Sequence, residues 1–501
     1  MAITDERASD KQLDQQRDTD DGAASDNGVT RREFMMTGGL GVAAFALTSY
    51  GGRSVRGRVE PPSLPKFASR PDLHVPALTV ATTSSAVAPG LITIAPYGFV
   101  GHPCGAVIAD GRGELVWEHP IAQPFDITDF RVQSQNGRPV LTWWQGRVVY
   151  GHGVGSYVIA DTSYTPIAHV QAGNGRQGDL HEFLLTDRGT ALLTSYTIVS
   201  HDLRPVGGGA DSLIQDAMFQ EIDLASGKVL LEWRSLDHIA LSESYSPVGG
   251  RWDYVHLNSI DVDLDQNLLV SSRNTHTLYK IKRDSGEIMW RLGGKHSDFA
   301  IAADARFAWQ HDARRQPDGS ISLFDNDNSA SRALVLNVDE AHRRVTLRQA
   351  YTRPGKPWSD SQGNVQVLPN GNVFVGWGAQ PYVSEFTPDG TLIFDARLGA
   401  NYISYRAFRE PWTGAAPGTP AVAAQRTATS IALYVSWNGD SSVASWTALA
   451  GTSPTNLAPA ASSVRTGFET ALSVPPSASH VRIQGFSADR KLLATSDLTT
   501  I

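Results

Sequence analysis

The sequence predicts an all-β chain: a six-bladed β-propeller followed by a small β-sandwich of fibronectin or immunoglobulin type. Two repeats carry this expectation. Segments beginning at Asp129, His181, Asn258, His311 and Gly363 overlay without a gap, as DFRVQSQNGRPVLTWW, HEFLLTDRGTALLTSY, NSIDVDLDQNLLVSSR, HDARRQPDGSISLFDN and GNVQVLPNGNVFVGWG. Each reads as a strand, a tight turn at the ninth residue (Gly137, Gly189, Gln266, Gly319, Gly371) and a second strand. Most are followed by another alternating hairpin: FQEIDLASGKVLLEW, HTLYKIKRDSGEIMWRL, ALVLNVDEAHRRVTLRQAY and YVSEFTPDGTLIFDARL. Two hairpins make four strands, and a four-stranded unit recurring at about 50 residues marks a propeller blade. The starts are 52, 77, 53 and 52 residues apart, so the long step holds insertions, near 199–213 and 235–254. A sixth blade can be assembled from residues 91–119 and the strand-like YISYRAF at 402–408, closing the ring with strands from both ends; five or seven blades are the alternatives.

The remaining segments follow in chain order. Residues 1–29 are polar and rich in aspartate, which predicts a disordered acidic tail. In 30–52, Arg31-Arg32 precedes Phe34 and a short apolar stretch, Thr37 to Tyr50, the pattern of a twin-arginine export signal. That stretch is about 14 residues, short of the roughly 20 a membrane helix needs, and no stable membrane span is expected after processing. The expected location is therefore extracellular or in the cell envelope, with the twin-arginine machinery as a partner. Residues 53–90, dense in proline, serine and threonine, read as a linker; 91–412 form the propeller. A second linker spans 413–425, and 426–501 hold strand-like runs such as IALYVSWNG and HVRIQGFSADRKLLATS, the sandwich. The net charge of -8 argues against a nucleic-acid partner. The single cysteine, Cys104, rules out an internal disulfide and reads as a small buried hydrophobe.

Positions one and sixteen of each hairpin are its two open ends, so they lie side by side on one rim. That places His181, Asn258, Arg273 and His311 around a common space, with His256 two residues before Asn258. His152, in GHG, is a further candidate for the rim. Trp144 and Tyr196 at position sixteen and Trp377 at position fifteen are placed either to stack on an aryl ring or to fill the blade edge. Three histidines can hold zinc or iron. However, Asp129 is the only carboxylate at the matching positions and the neighbouring arginine repels a cation, so no metal is expected. Asp261-x-Asp263-x-Asp265 and Asp325-Asn326-Asp327-Asn328 lack the glycine and glutamate of an EF-hand and read as strand and turn residues. Arginine and asparagine donate hydrogen bonds to anionic oxygens. One neutral imidazole can attack sulfur or phosphorus, and another can protonate a leaving oxygen.

At these residues the chain resembles the PAPS-independent arylsulfate sulfotransferases, in particular the secreted branch with an N-terminal export signal. The likeness spans about residues 90 to 412. It rests on DLHEFLLTDRGTALLTSY, DYVHLNSIDVDLDQNLLVSSRN with GEIMWRLGG, FAWQHDARRQPDGSISLFDN, GNVQVLPNGNVFVGWG and WWQGRVVYGHGVGSYVIAD. It implies a six-bladed propeller that moves a sulfuryl group from a phenolic sulfate to a phenol. The route is ping-pong, through a sulfated histidine, with no nucleotide donor, metal or other cofactor. Matched motif by motif, His311 in WQHD is the nucleophile, and His256 and Asn258 in HLN, with Arg273 in SSRN, hold the sulfuryl oxygens. His181 in LHEF serves the phenolic oxygen as acid and base. The absence of a cysteine pair departs from the family, and the two insertions reshape the mouth. The competing readings are a non-catalytic propeller that binds a ligand or protein, and a metal- or cofactor-dependent propeller enzyme.

Overall fold

The computed structural model describes residues 66–501 apart from 74, 77, 99–103, 328–329 and 400–401. The tail and export signal expected over 1–52 lie outside the described residues, as do residues 53–65 of the segment read as a linker. Among the described residues there is no α-helix, only strands and four single 3₁₀ turns. No helix there is long and apolar enough to cross a membrane.

Residues 78–410 form six antiparallel-based sheets of four or five strands among the described residues. In five of them the strands follow chain order outward from an inner hairpin, starting at Asp126–Gln135, Phe183–Leu185, Leu257–Val262, His311–Arg315 and Asn364–Val367. The sixth joins chain ends: Tyr402–Glu410 is its inner strand, beside Leu91–Gly98, Cys104–Ala109 and Leu115–Ile121. The long strands Thr190–His201 and Ser212–Asp223 carry the first insertion as an extended hairpin. Two of the 3₁₀ turns, Ser235–Asp237 and Leu241–Glu243, and the short strand Arg251–Trp252 belong to the second insertion.

Side chains lock successive inner strands together, because a ring of sheets leaves each inner edge without a ladder partner. Gln133 binds both Leu185 N and Phe183 O. Glu182 accepts Ile260 N, Ser259 accepts Ala313 N, and Asp312 accepts Val365 N. Asn364 pairs with both backbone groups of Ala407, at 2.7 and 2.9 Å, and Glu410 accepts Val132 N at 2.7 Å, which returns to the first inner strand. The closed circuit is that of a β-propeller. Each gap between sheets is filled by an apolar layer, such as Trp233, Tyr254, Leu257 and Tyr279. Along the axis, Arg406 meets Asp129 at 2.7 Å and Glu182 and Asp312 at 3.3 Å, and Arg131 and Arg314 bind Glu182 at 2.5 Å. These buried charges are tolerated only as a mutually paired set.

Two expected linkers carry structure. Leu78–Thr82, inside 53–90, pairs with Leu392–Leu398 as the outermost strand of its sheet. Its Leu-Thr-Val-Ala-Thr run suits an edge strand, and pairing satisfies a backbone that a free linker would leave to water. Ala421–Arg426, straddling the boundary of 413–425, pairs with Ile431–Ser436. Beyond it, sheets of three and five strands enclose a core of Ile431, Leu433, Val435, Trp446, Val481 and Ile483. This C-terminal pair of sheets docks on the propeller: Asn438 binds Glu118 N and O, both at 2.9 Å, and Tyr164 donates to Gly439 O at 2.6 Å.

Candidate functional site

The four histidines His152, His181, His256 and His311 come from four successive sheets and meet at one end of the axis. Ring centres lie 5.7 Å apart for His152 and His181, 5.2 Å for His152 and His256, 4.7 Å for His181 and His256, and 6.4 Å for His256 and His311. The hairpin geometry explains the convergence. His311 and Asn326, positions one and sixteen of one repeat, are hydrogen-bonded at 2.8 Å. Arg273 N donates to His256 O across the equivalent ends of another, at 2.9 Å.

His311 is held in a defined state. Asn326 donates its Nδ2 to Ser359 O and Gln362 O, both at 3.0 Å, which turns its Oδ1 toward His311 Nδ1. An amide oxygen only accepts, so Nδ1 carries the hydrogen and Nε2 keeps a lone pair. That lone pair accepts Gln362 N–H at 3.2 Å. Burial, then the Arg273 guanidinium and the His256 ring, hold the His311 pKa well below the ordinary imidazole value. A buried, neutral imidazole with its Nε2 lone pair available is a competent nucleophile once Gln362 N–H gives way.

Arg273 lies 4.8 Å over the Trp309 ring and binds Asn274 Oδ1 and Asp360 O at 2.9 and 3.1 Å. Its cation is thereby fixed beside His311. Asn258 is fully buried and donates to Gln310 O at 2.7 Å. One of its amide hydrogens is thus committed to bracing the residue before His311 rather than to a ligand. Tyr196 packs 4.0 Å from His152 and donates to Leu257 O at 2.7 Å.

Trp144 and Trp377 are corrections. Trp144 sits in the apolar layer with Tyr157 and Phe183, its indole N–H on Gly178 O at 2.9 Å. Trp377 packs edge-on against Phe324 and donates to Ser384 Oγ at 3.0 Å. Both fill the spaces between sheets. The aromatic wall of the site is instead Tyr405, edge-on to His181 at 5.6 Å, with Tyr97, whose hydroxyl donates to Gln362 Oε1 at 2.5 Å. Tyr97, Thr128, Val148, Leu180 and Tyr405 line a small cavity of about 80 Å³ next to the histidines. A larger one of about 250 Å³ lies elsewhere, between Arg112, Glu114 and Arg465; it holds no imidazole, and Arg112 there is spent on Asp110.

Carboxylates from outside the aligned positions also join the cluster. Asp179 Oδ2 lies 2.6 Å from His181 Nδ1, and Asp253 Oδ2 lies 2.5 Å from His256 Nδ1 and 3.2 Å from His152 Nε2. Asp179 stands two residues before His181, and Asp253 three before His256 inside the second insertion, outside the aligned windows. Asp-x-His and Asp-x-x-His were the available signals. The sets His152–Asp179–His181 and His152–Asp253–His256 could gather round a metal ion. Two ligands about 2.0–2.2 Å from one ion ordinarily stand about 3 Å apart. Separations of 2.5 and 2.6 Å are shorter than that and fit direct hydrogen bonds from the ring nitrogens to the carboxylates. Burial, outweighed by Asp253 and Asp179, leaves the His152 pKa raised, whereas burial brings His256 down to about 4 despite Asp253. The other acidic runs are paired: Asp263 and Asp265 bind Lys280 at 3.1 and 2.8 Å, and Asp325 binds Arg332 at 2.9 Å.

No curated protein matches the sequence significantly. Among solved structures, the chain is similar to a protein of unknown function from Bacteroides caccae, with 12% identity, TM-score 0.41, and coverage of 64% of this chain and 100% of that one. It is also similar to catalytically inactive virginiamycin B lyase from Staphylococcus aureus with quinupristin, with 8% identity, TM-score 0.34, and coverage of 72% and 96%. A luciferin-regenerating enzyme gives 9% identity, TM-score 0.31, and coverage of 67% and 99%. The family model described as Arylsulfotransferase (ASST) matches residues 131–399, which hold His152, His181, His256, Arg273 and His311. The chain belongs to the arylsulfotransferase family.

Proposed function

We propose that the protein transfers a sulfuryl group from a phenolic sulfate ester to a phenol by a ping-pong route through a sulfated His311. The observation that carries this reading is the state of His311: Nδ1–H committed to Asn326, and an Nε2 lone pair beside the Arg273 cation. In the first half, Nε2 forms a bond to sulfur as the ester O–S bond breaks, and protonated His181 gives a proton to the leaving phenolic oxygen. The phenol departs and His311 keeps the sulfuryl group. In the second half, neutral His181 takes the proton of an incoming phenol, whose oxygen attacks sulfur and frees Nε2. Atoms and charge balance over the cycle, and no cofactor enters it.

Sulfuryl transfer resembles phosphoryl transfer in gathering charge on the leaving oxygen, so fixed donors and proton delivery supply most of the rate. In this reading Arg273 and His256 hold the sulfuryl oxygens, and the small cavity lined by Tyr97 and Tyr405 takes the aryl ring. The reading includes export by the twin-arginine route to the extracellular space or cell envelope, and a six-bladed organisation of the domain from Leu78 to Glu410. The deciding experiment is turnover of a chromogenic aryl sulfate with phenol. His311→Ala is expected to lose transfer by at least about 10³-fold, the order seen when a covalent nucleophile is removed. Retention of normal turnover would end the proposal.

A further inference from the structure

We infer that Asp179 and Asp253 are positioning residues that lock His181 and His256 with the hydrogen on Nδ1, so that each ring presents Nε2 to the shared opening, with His152 linking the two carboxylates. This deepens the sulfuryl-transfer reading and rests on it for its catalytic meaning. The argument itself is geometric. A carboxylate only accepts hydrogen bonds, so the nitrogens 2.6 and 2.5 Å from Asp179 and Asp253 must carry hydrogens. The other nitrogen of each ring is then the one that exchanges protons with a ligand.

Asp179 cannot swing away from this duty. Its two oxygens also accept Gly153 N at 2.6 Å, His181 N at 3.1 Å and Thr194 Oγ1 at 3.0 Å, and the residue is fully buried. Asp253 is less encumbered. Its Oδ2 serves His256 and His152, and its Oδ1 has no hydrogen-bond partner. His152 completes the link. It spends Nε2 on Asp253, while its buried Nδ1, without a hydrogen-bond partner, stands 3.9 Å from Asp179 Oδ1. A proton added there faces a carboxylate on each side of the ring. The three residues thus supply what the His181 cycle requires: one fixed ring orientation in both its protonated and neutral forms.

Long-range ¹H–¹⁵N correlation spectra of the full-length protein, labelled with ¹⁵N-histidine, read the tautomers without substrate. His181→Gln and His256→Gln assign the two signals. The inference expects hydrogen on Nδ1 of both rings at neutral pH and a bare Nε2 on His256. A bare Nδ1 on either ring, or hydrogen on Nε2 of His256, would overturn it, and so would a stoichiometric divalent ion retained by these nitrogens. In turnover, Asp253→Asn is expected to lower kcat by up to about 10⁴-fold, the loss known for a wrong-tautomer histidine, with KM little changed and partial rescue by Asp253→Glu. An Asp253→Asn variant that folds with the His256 tautomer and kcat intact would also overturn it. The wild-type spectrum decides the matter even where the variant fails to fold. Failure of the transfer reading is separate: it would appear as activity surviving His311→Ala.

Discussion

His311 depends on Asn326 more than on any other side chain. The amide fixes which ring nitrogen is nucleophilic, and two backbone carbonyls fix the amide. Asn326→Ala removes the acceptor for a buried N–H, a change worth about 1–3 kcal/mol, so kcat is expected to fall by about 10- to 100-fold in steady-state assays. Burial also keeps His256 and His311 neutral. Their folded pKa values lie below the unfolded value near 6.5, so the unfolded chain binds protons first as pH falls. Their stabilising contribution is present above about pH 6.5 and is lost toward pH 4. Denaturant titrations at pH 7 and pH 5 should show the decline, and a flat profile would contradict the buried-neutral state. At this scale the sequence was legible where the repeat sets register: positions one and sixteen delivered His181, Arg273 and His311. Asp179 and Asp253 were not, because they sit before the hairpins, where no period constrains them. Trp144 and its neighbour Trp143 show why position alone did not separate stacking from blade-edge filling. As strand neighbours they point to opposite faces, and both faces here are core.

Elements are positioned by their neighbours in the ring. Asn364 makes two bonds to Ala407, the only side chain so used at that junction besides Gln366 with Arg409 among the described residues. Asn364→Ala leaves both backbone groups of a buried residue unsatisfied and is expected to cost about 2–4 kcal/mol, read as a lowered denaturation midpoint. The strand Leu78–Thr82 was illegible within a proline- and serine-rich stretch because its signal is tertiary. It exists by pairing with Leu392–Leu398. The hairpins, by contrast, were readable from alternation and turn glycines alone; Gly189 and Gly319 adopt φ of +73° and +86° at their turns. The second insertion was recognised as a departure, but not as the source of Asp253. An inserted loop carries no repeat to align, so its contribution to the site had to come from the folded chain.

Across the molecule, strands from the two ends of the propeller segment close the ring and the axis is plugged by charge. Tyr402–Glu410 pairs with Leu91–Gly98, joining residues some three hundred positions apart. This arrangement makes the site a product of the whole circuit, since each histidine is held by a different sheet. Arg406 is the keystone of the axis, paired with Asp129, Glu182 and Asp312. Arg406→Met would leave these carboxylates short of a partner in a buried setting, and a loss of about 3–5 kcal/mol is expected by chemical denaturation. The direct test of the account is mass spectrometry of the intact protein and its peptides after brief exposure to an aryl sulfate without acceptor. The account predicts a gain of one sulfuryl group on the peptide carrying His311, discharged on adding phenol. An unmodified His311 peptide during active turnover, or a sulfuryl group carried by another residue, would contradict it.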